Sequence, residues 1–229
     1  MDDRFVPLFA FASNVELFGT FPECVDFVQK NIRLGEIVEL PESRGFAVVL
    51  GVGLLEFATN LSVLLSRFSA EAPWTHVVLI GICGAYPGRG LNIGDVVRVD
   101  CEKVGDMGVV ERDGSFMPWN SVVGAFVQVY ESSPLRGVPA SLGRLKAVSG
   151  LTVNCCTGTS AMAAERVQNF DVDVESMEGA ACFSVCYAFG VPCFEIRAVS
   201  NFAADRDKSS WRIPAALEKL KNVCHSGKI

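Results

Sequence analysis

The stretch Val174-Glu175-Ser176-Met177-Glu178-Gly179-Ala180-Ala181 decides how the rest of the chain is read. Val172 and Val174 alternate with polar residues, as in the end of a short strand. The run that follows is apolar and helical in character, ending near Phe189-Gly190. Glu178 therefore falls close to a helix N-terminus, where free backbone N–H groups and the helix dipole favour negative charge. Only small residues stand behind it, so the helix can lie close against a neighbour. A carboxylate in that position either answers the helix dipole or accepts two adjacent hydroxyls, such as those of a ribose.

Outward from that helix, the chain alternates strands with helices. Phe5–Ala12, Gly45–Leu50 and Val77–Ile82 are continuous apolar runs, the pattern of strands buried on both faces. Glu36–Leu40 alternates like a half-exposed strand, and Gly94–Val99, Val148–Val153 and Pro192–Val199 add three more. Helices are expected over 20–33, Leu54–Phe68, Thr159–Asn169 and 213–224, with Ser13-Asn14-Val15-Glu16 as a polar turn able to cap a helix. Residues 100–145 are the least periodic, and residues 200–212 read as a polar loop. The order predicts an α/β three-layer sandwich around a central mixed, mostly parallel sheet, in one domain over residues 1–229.

Composition narrows the function classes. The net charge of −6 lacks the basic excess of a nucleic-acid surface. No apolar run reaches the length of a membrane span, and no secretory signal is expected from the acidic start Met1-Asp2-Asp3-Arg4. The nine cysteines form no Cys-x-x-Cys pair, and His76 and His225 are the only histidines, so no metal site is expected. Cys182 and Cys186 share a helix face, and Cys83 and Cys193 lie in strand-like runs. They read as reduced, buried, small hydrophobes of a cytoplasmic protein. Gly51-Val52-Gly53 follows a strand, but Glu56 stands where a dinucleotide fingerprint needs its third glycine. No cofactor is implied, and these glycines suit a tight strand-to-helix turn.

Candidate chemistry gathers at the carboxyl ends of the strands, the edge where open α/β sheets bind ligands. Glu16 follows the first strand, as a solvated helix-start residue or as a site acid. Arg197 projects from a strand that should be buried. It either snorkels from the strand end or pairs with Glu178 or Glu175. Arg206 and Asp207 sit in the polar loop, where they either pair and brace it over Trp211 or leave Arg206 to read a ligand.

Glu175–Ala181 and Val191–Asn201 together resemble the signature of the purine nucleoside phosphorylase and nucleosidase superfamily. Gly51-Val52-Gly53 and Gly81-Ile82-Cys83-Gly84-Ala85, followed by Gly94-Asp95-Val96-Val97, agree with it. Thr152-Val153-Asn154, Asp106-Met107-Gly108 and Ser200-Asn201 with Arg206 and Trp211 are most similar to its futalosine-hydrolysing branch. The resemblance implies an N-ribosyl hydrolase that needs no cofactor and forms a homodimer. It implies that Glu178 holds the ribose diol while Met177 packs on the sugar. By the same resemblance Glu16 activates water, Asn201 contacts the departing purine and Arg206 can meet a substrate carboxylate. Related methylthioadenosine nucleosidases carry aspartate in place of Asn201 and an aromatic stacking residue in place of Gly158. Superfamily phosphorylases bind phosphate with arginine and serine around the Gly81 turn, where this chain has Leu79 and Ile82.

Overall fold

The computed structural model describes residues 5–24, 33–68, 71–124, 128–135 and 138–225. Its strands, in chain order, are β1 (Pro7–Phe11), β2 (Ile37–Glu39), β3 (Phe46–Val49), β4 (His76–Ala85), β5 (Val96–Val104), β6 (Gly108–Val110), β7 (Phe116–Pro118), β8 (Tyr130–Glu131), β9 (Lys146–Thr152), β10 (Val174–Ser176) and β11 (Cys193–Phe202). The helices are α1 (Asn14–Thr20), α2 (Leu54–Phe68), α3 (Trp119–Val123), α4 (Ala140–Arg144), α5 (Ser160–Phe170), α6 (Gly179–Phe189) and α7 (Ile213–His225). Most of the helix expected over 20–33 lies outside the described residues, and α1 precedes it.

β1 shows why the sheet has helices on both faces. Every residue of it is buried, with Phe9 and Phe11 facing Leu17 of α1 and Leu217 and Leu220 of α7. Leu8 and Ala10 face Phe57 and Leu61 of α2 and Phe183 of α6 on the opposite side. Each such fully buried leucine or phenylalanine side chain contributes about 1.5–3 kcal/mol relative to exposure. Cys182, Cys186 and Cys193 pack into the second of these cores as free thiols, as their apolar surroundings predict. The sheet is mixed and mostly parallel. β4 pairs parallel with β1 and β11, β3 with β1, and β9 with β5 and β10, while β11–β5, β2–β3 and β8–β5 are antiparallel.

Three strands run past their expected ends: β5 continues from Val99 to Val104, and the extensions of β4 and β11 shape the site. β4 continues through Gly84-Ala85, which the glycines had suggested was turn, because β10 pairs with it at Val174↔Ala85 and Glu175↔Gly84. That antiparallel contact closes β4, β11, β5, β9 and β10 into a ring. β11 continues to Phe202 across a bulge between Val199 and Asn201, so Asn201 belongs to a strand and not to the polar loop. Gly51 and Gly53 have φ of +99° and +89°, as the tight turn into α2 requires. Among the described residues no helix is long and apolar enough to cross a membrane.

Candidate active site

A cavity of about 600 Å³ opens at the carboxyl ends of β1, β4, β10 and β11. Glu16, Met177, Glu178, Asn201 and Arg206 all line it. Arg197, only 1% exposed, lies directly behind its wall.

Glu16 reaches the cavity because Ser13 starts α1. Ser13 adopts extended backbone angles, and its hydroxyl accepts from the Glu16 N–H at 3.4 Å. In a capping box the glutamate would turn back to the Ser13 N–H. Here its Oε1 accepts instead from the Ile82 N–H on β4 at 3.1 Å, and its Oε2 from the Ser13 hydroxyl at 3.1 Å. Burial raises the Glu16 pKa above the ordinary carboxylate value, and the nearby charge of Glu178 adds to the rise. Arg197 and the two hydrogen bonds oppose it without cancelling it.

Glu178 is the residue preceding α6, but its side chain makes no cap bond to that helix. Its Oε1 accepts from the Gly53 N–H at 3.1 Å and its Oε2 from Arg197 Nη2 at 3.3 Å. The turn after β3 and the buried arginine, not the α6 dipole, therefore orient it. Arg197 also donates from Nε to Glu195 at 2.7 Å and from Nη2 to the Ser176 hydroxyl at 3.3 Å. Burial alone would depress its pKa; Glu195, Glu178 and Glu16 reverse that and keep it fully cationic. Arg197 and Glu16 both close on Gly81, where a Cβ would lie 2.6 Å from Glu16 Oε1 and collide with the guanidinium.

Glu175, the other expected partner of Arg197, points elsewhere. It accepts from Tyr86 Oη at 2.7 Å, the Thr157 N–H at 2.9 Å and Arg166 Nη1 at 3.0 Å. These contacts fix the Cys156-Thr157 segment against the cavity. Asp106 holds the start of the same segment, accepting from the N–H groups of Asn154 and Cys155. Two short motifs far apart in sequence thus meet in one strap.

At the far side, Ser200 donates to Asn201 Oδ1 at 2.8 Å, and Asn201 Nδ2 donates to the Phe202 carbonyl at 3.0 Å. One amide N–H of Asn201 is left without a partner among the described residues. Arg206 does not pair with Asp207, which instead accepts from the N–H and hydroxyl of Ser209. Its guanidinium lies 5.8 Å from the centroid of the Trp211 ring, and Trp211 lines the same cavity. Asp205, bonded to Ser160, and the Arg206 N–H, bonded to the Gly158 carbonyl, tie this loop to the start of α5.

Sequence reasoning missed Ser13, Glu102 and Glu195 as parts of this assembly. The Ser13-x-x-Glu16 spacing was a usable signal, as was the two-residue spacing of Glu195 and Arg197 on one strand face. Nothing local marks Glu102.

The family model described as the phosphorylase superfamily matches residues 28–226. A futalosine hydrolase of Thermus thermophilus is 33% identical over 165 residues, spanning 70% of this chain and 72% of that relative. A 5′-methylthioadenosine/S-adenosylhomocysteine nucleosidase of Shewanella frigidimarina is 31% identical over 192 residues, spanning 76% of each. Among solved structures, a 5′-methylthioadenosine/S-adenosylhomocysteine nucleosidase of Helicobacter pylori superimposes with a TM-score of 0.74. It covers 99% of this chain and 98% of that one at 16% identity, a likeness of fold. The ringed sheet, the cavity at its carboxyl edge and these matches agree, and the chain belongs to the phosphorylase superfamily.

Proposed function

We propose that this protein hydrolyses the N-glycosidic bond of a purine nucleoside, with futalosine as substrate and hypoxanthine and dehypoxanthine futalosine as products, in menaquinone biosynthesis. The observation that carries the reading is the pair of buried carboxylates facing one cavity in opposite settings. Glu178 is held by a guanidinium and a backbone N–H, which suits a charged acceptor for the ribose 2′ and 3′ hydroxyls. Glu16 is held without a direct cation contact and has a raised pKa, which suits a base that takes a proton from water. Met177 packs on the sugar. The positive charge developing on the ribose in an oxocarbenium-like transition state is met by these carboxylates. Asn201 offers its unused N–H to the departing base, so that charge need not build on the purine ring.

Water is favoured over phosphate as the acceptor by the charge of the cavity. Three glutamates line it, and Arg206 is its one cation among the described lining residues. Arg89, the other arginine near the Gly81 turn, is bound to Asp171 and Asp173. Arg206 beside Trp211 offers an aromatic face and a guanidinium together, the chemistry that meets a benzoate such as that of futalosine. The S-adenosylhomocysteine-type relative supports a second reading, a 6-aminopurine nucleosidase. A retained pocket without turnover is the reading outside enzymology. We also read the protein as a homodimer, since Val15 and Val52 at the cavity rim and Leu55 nearby in sequence are exposed apolar residues, and as cytoplasmic, since its cysteines are free thiols.

Free purine released from futalosine, aminodeoxyfutalosine, methylthioadenosine and inosine, separated chromatographically with and without phosphate, tests these readings. Hypoxanthine from futalosine without phosphate is expected, and a requirement for phosphate would overturn hydrolysis. In the same assay Arg206→Ala should weaken futalosine cleavage while leaving inosine cleavage unchanged. Equal losses would assign Arg206 to bracing the loop.

A further inference from the structure

Behind Glu178 lies a pair of carboxyl groups that the scheme above does not use. Glu102 on β5 and Glu195 on β11 are both completely buried, on neighbouring strands. Each has one satisfied oxygen. Glu102 Oε2 accepts from the Thr152 hydroxyl at 2.7 Å, and that hydroxyl accepts from the Ala180 N–H at 2.7 Å. Glu195 Oε1 accepts from Arg197 Nε at 2.7 Å. The remaining oxygens, Glu102 Oε1 and Glu195 Oε2, have no partner among the described residues. Both converge on Gly179, where a Cβ would sit 2.5 Å from the first and 2.6 Å from the second. Two buried acceptors converging on one spot with no donor between them among the described residues would leave buried charge uncompensated.

We propose that Glu102 and Glu195 share one proton, with Glu102 as donor. This completes a hydrogen-bonded chain from Ala180 through Thr152, Glu102, Glu195 and Arg197 to Glu178, and fixes Arg197 between the two cavity carboxylates. Glu195 and Glu102 are thereby positioning residues that act through the arginine. The proton belongs on Glu102 because Glu195 already has a guanidinium at its other oxygen. Burial, reinforced by the charge of Glu195, raises the Glu102 pKa well above the carboxylate range. The groups facing the pair give it no second cation: Glu178 and Cys182 at the start of α6, Cys83 on β4 and Thr152 on β9. One proton leaves the pair with a single negative charge, which Arg197 balances. Losing it would add Glu102 as a third buried anion to Glu178 and Glu195 around one guanidinium.

Infrared difference spectroscopy of the ligand-free protein, comparing wild type with Glu102→Gln at neutral pH, reads the proton directly. A carbonyl band of a protonated carboxylic acid is expected in wild type and should be missing from Glu102→Gln. The amide of glutamine can donate to Glu195 and accept from Thr152, so Glu102→Gln should retain kcat/KM within about threefold of wild type. Glu102→Leu, which removes the donor, should lose about tenfold or more. Wild type should also lose activity in an alkaline limb that Glu102→Gln lacks. A band unchanged by Glu102→Gln, or absent from wild type, overturns the proposal, as does glutamine proving as damaging as leucine. If Glu102→Leu does not fold, the spectrum and the Glu102→Gln profile decide alone. The activity measurements rest on the nucleosidase reading; the spectrum does not, so absence of turnover on every nucleoside would count against that reading only.

Discussion

Glu16 and Glu178 face the same space through different neighbours, and that difference sets what each substitution should do. Glu16 is held by a hydroxyl and a backbone N–H, and its raised pKa keeps it protonated to higher pH than an ordinary carboxylate. Activity should therefore rise with pH through an acid limb displaced above 4.5, the ordinary value for glutamate. Glu16→Gln should abolish that limb and lower kcat by ~10²–10⁴-fold with little change in KM, as steady-state kinetics across pH would reveal. A limb that survives in Glu16→Gln would belong to another group. Asn201 sets the base. A 6-oxopurine presents acceptors at O6 and N7, which an amide N–H can meet, whereas a 6-amino group presents a donor. Asn201→Asp should shift kcat/KM from futalosine toward aminodeoxyfutalosine by roughly one to two decades, the value of one mismatched buried polar group. A wild-type enzyme that already prefers the amino substrate tenfold would remove this role. Glu178, Arg197 and Asn201 were legible because they lie within one contiguous pattern. Glu102 was not, since its meaning depends on Glu195, which lies on a strand far away in sequence.

At the level of elements, the periodic segments were the readable ones. The helix α2 falls on Leu54–Phe68 as its spacing predicts, with Phe57, Leu61, Leu64 and Leu65 buried on one face. The ends of β4 and β11 were misread because they depend on partners. Gly84 has no strand propensity of its own, yet it is paired from both sides. The bulge before Asn201 is likewise invisible without β4, and such bulges re-aim side chains beside sites. The strap over residues 153–158 depends on a buried ion pair whose members, Arg166 on α5 and Glu175 on β10, are both at least nine-tenths buried. Arg166→Leu would leave Glu175 buried without its cation and should destabilise the fold by roughly 3–5 kcal/mol, measured by denaturant unfolding. A loss below about 1 kcal/mol would mean that Tyr86 and Thr157 suffice to hold the carboxylate.

For the whole molecule, the buried carboxylates tie stability to pH in an unusual direction. Glu16, Glu102 and Glu195 all have raised pKa values in the fold, Glu195 being pushed up to about 7 by burial first of all. Above 4.5 these carboxyl groups thus hold more protons in the fold than in the unfolded chain. Their contribution is complete below that value and is lost as pH rises through the folded values. His76, whose pKa burial lowers, and Cys186, whose thiol is pushed down to about 5 by hydrogen bonds with Cys182 and Cys193, work the other way. The thermal midpoint of wild type should therefore fall relative to that of Glu102→Gln between about pH 5 and pH 8, and a difference that stays flat or climbs over that window would contradict a proton held at Glu102. The position of β11 carries a different consequence. It is the last strand in the chain, yet it lies in the interior of the sheet, between β4 and β5. While the protein is being synthesised, those two strands leave the ribosome long before the neighbour that joins them. A nascent chain that ends before Cys193 exposes two inner edges, each a template for pairing with another copy. Folding must wait for that distant segment, so its rate should be governed by late closure of the sheet centre and not by its early helices. Fragments that stop short of β11 should aggregate rather than fold.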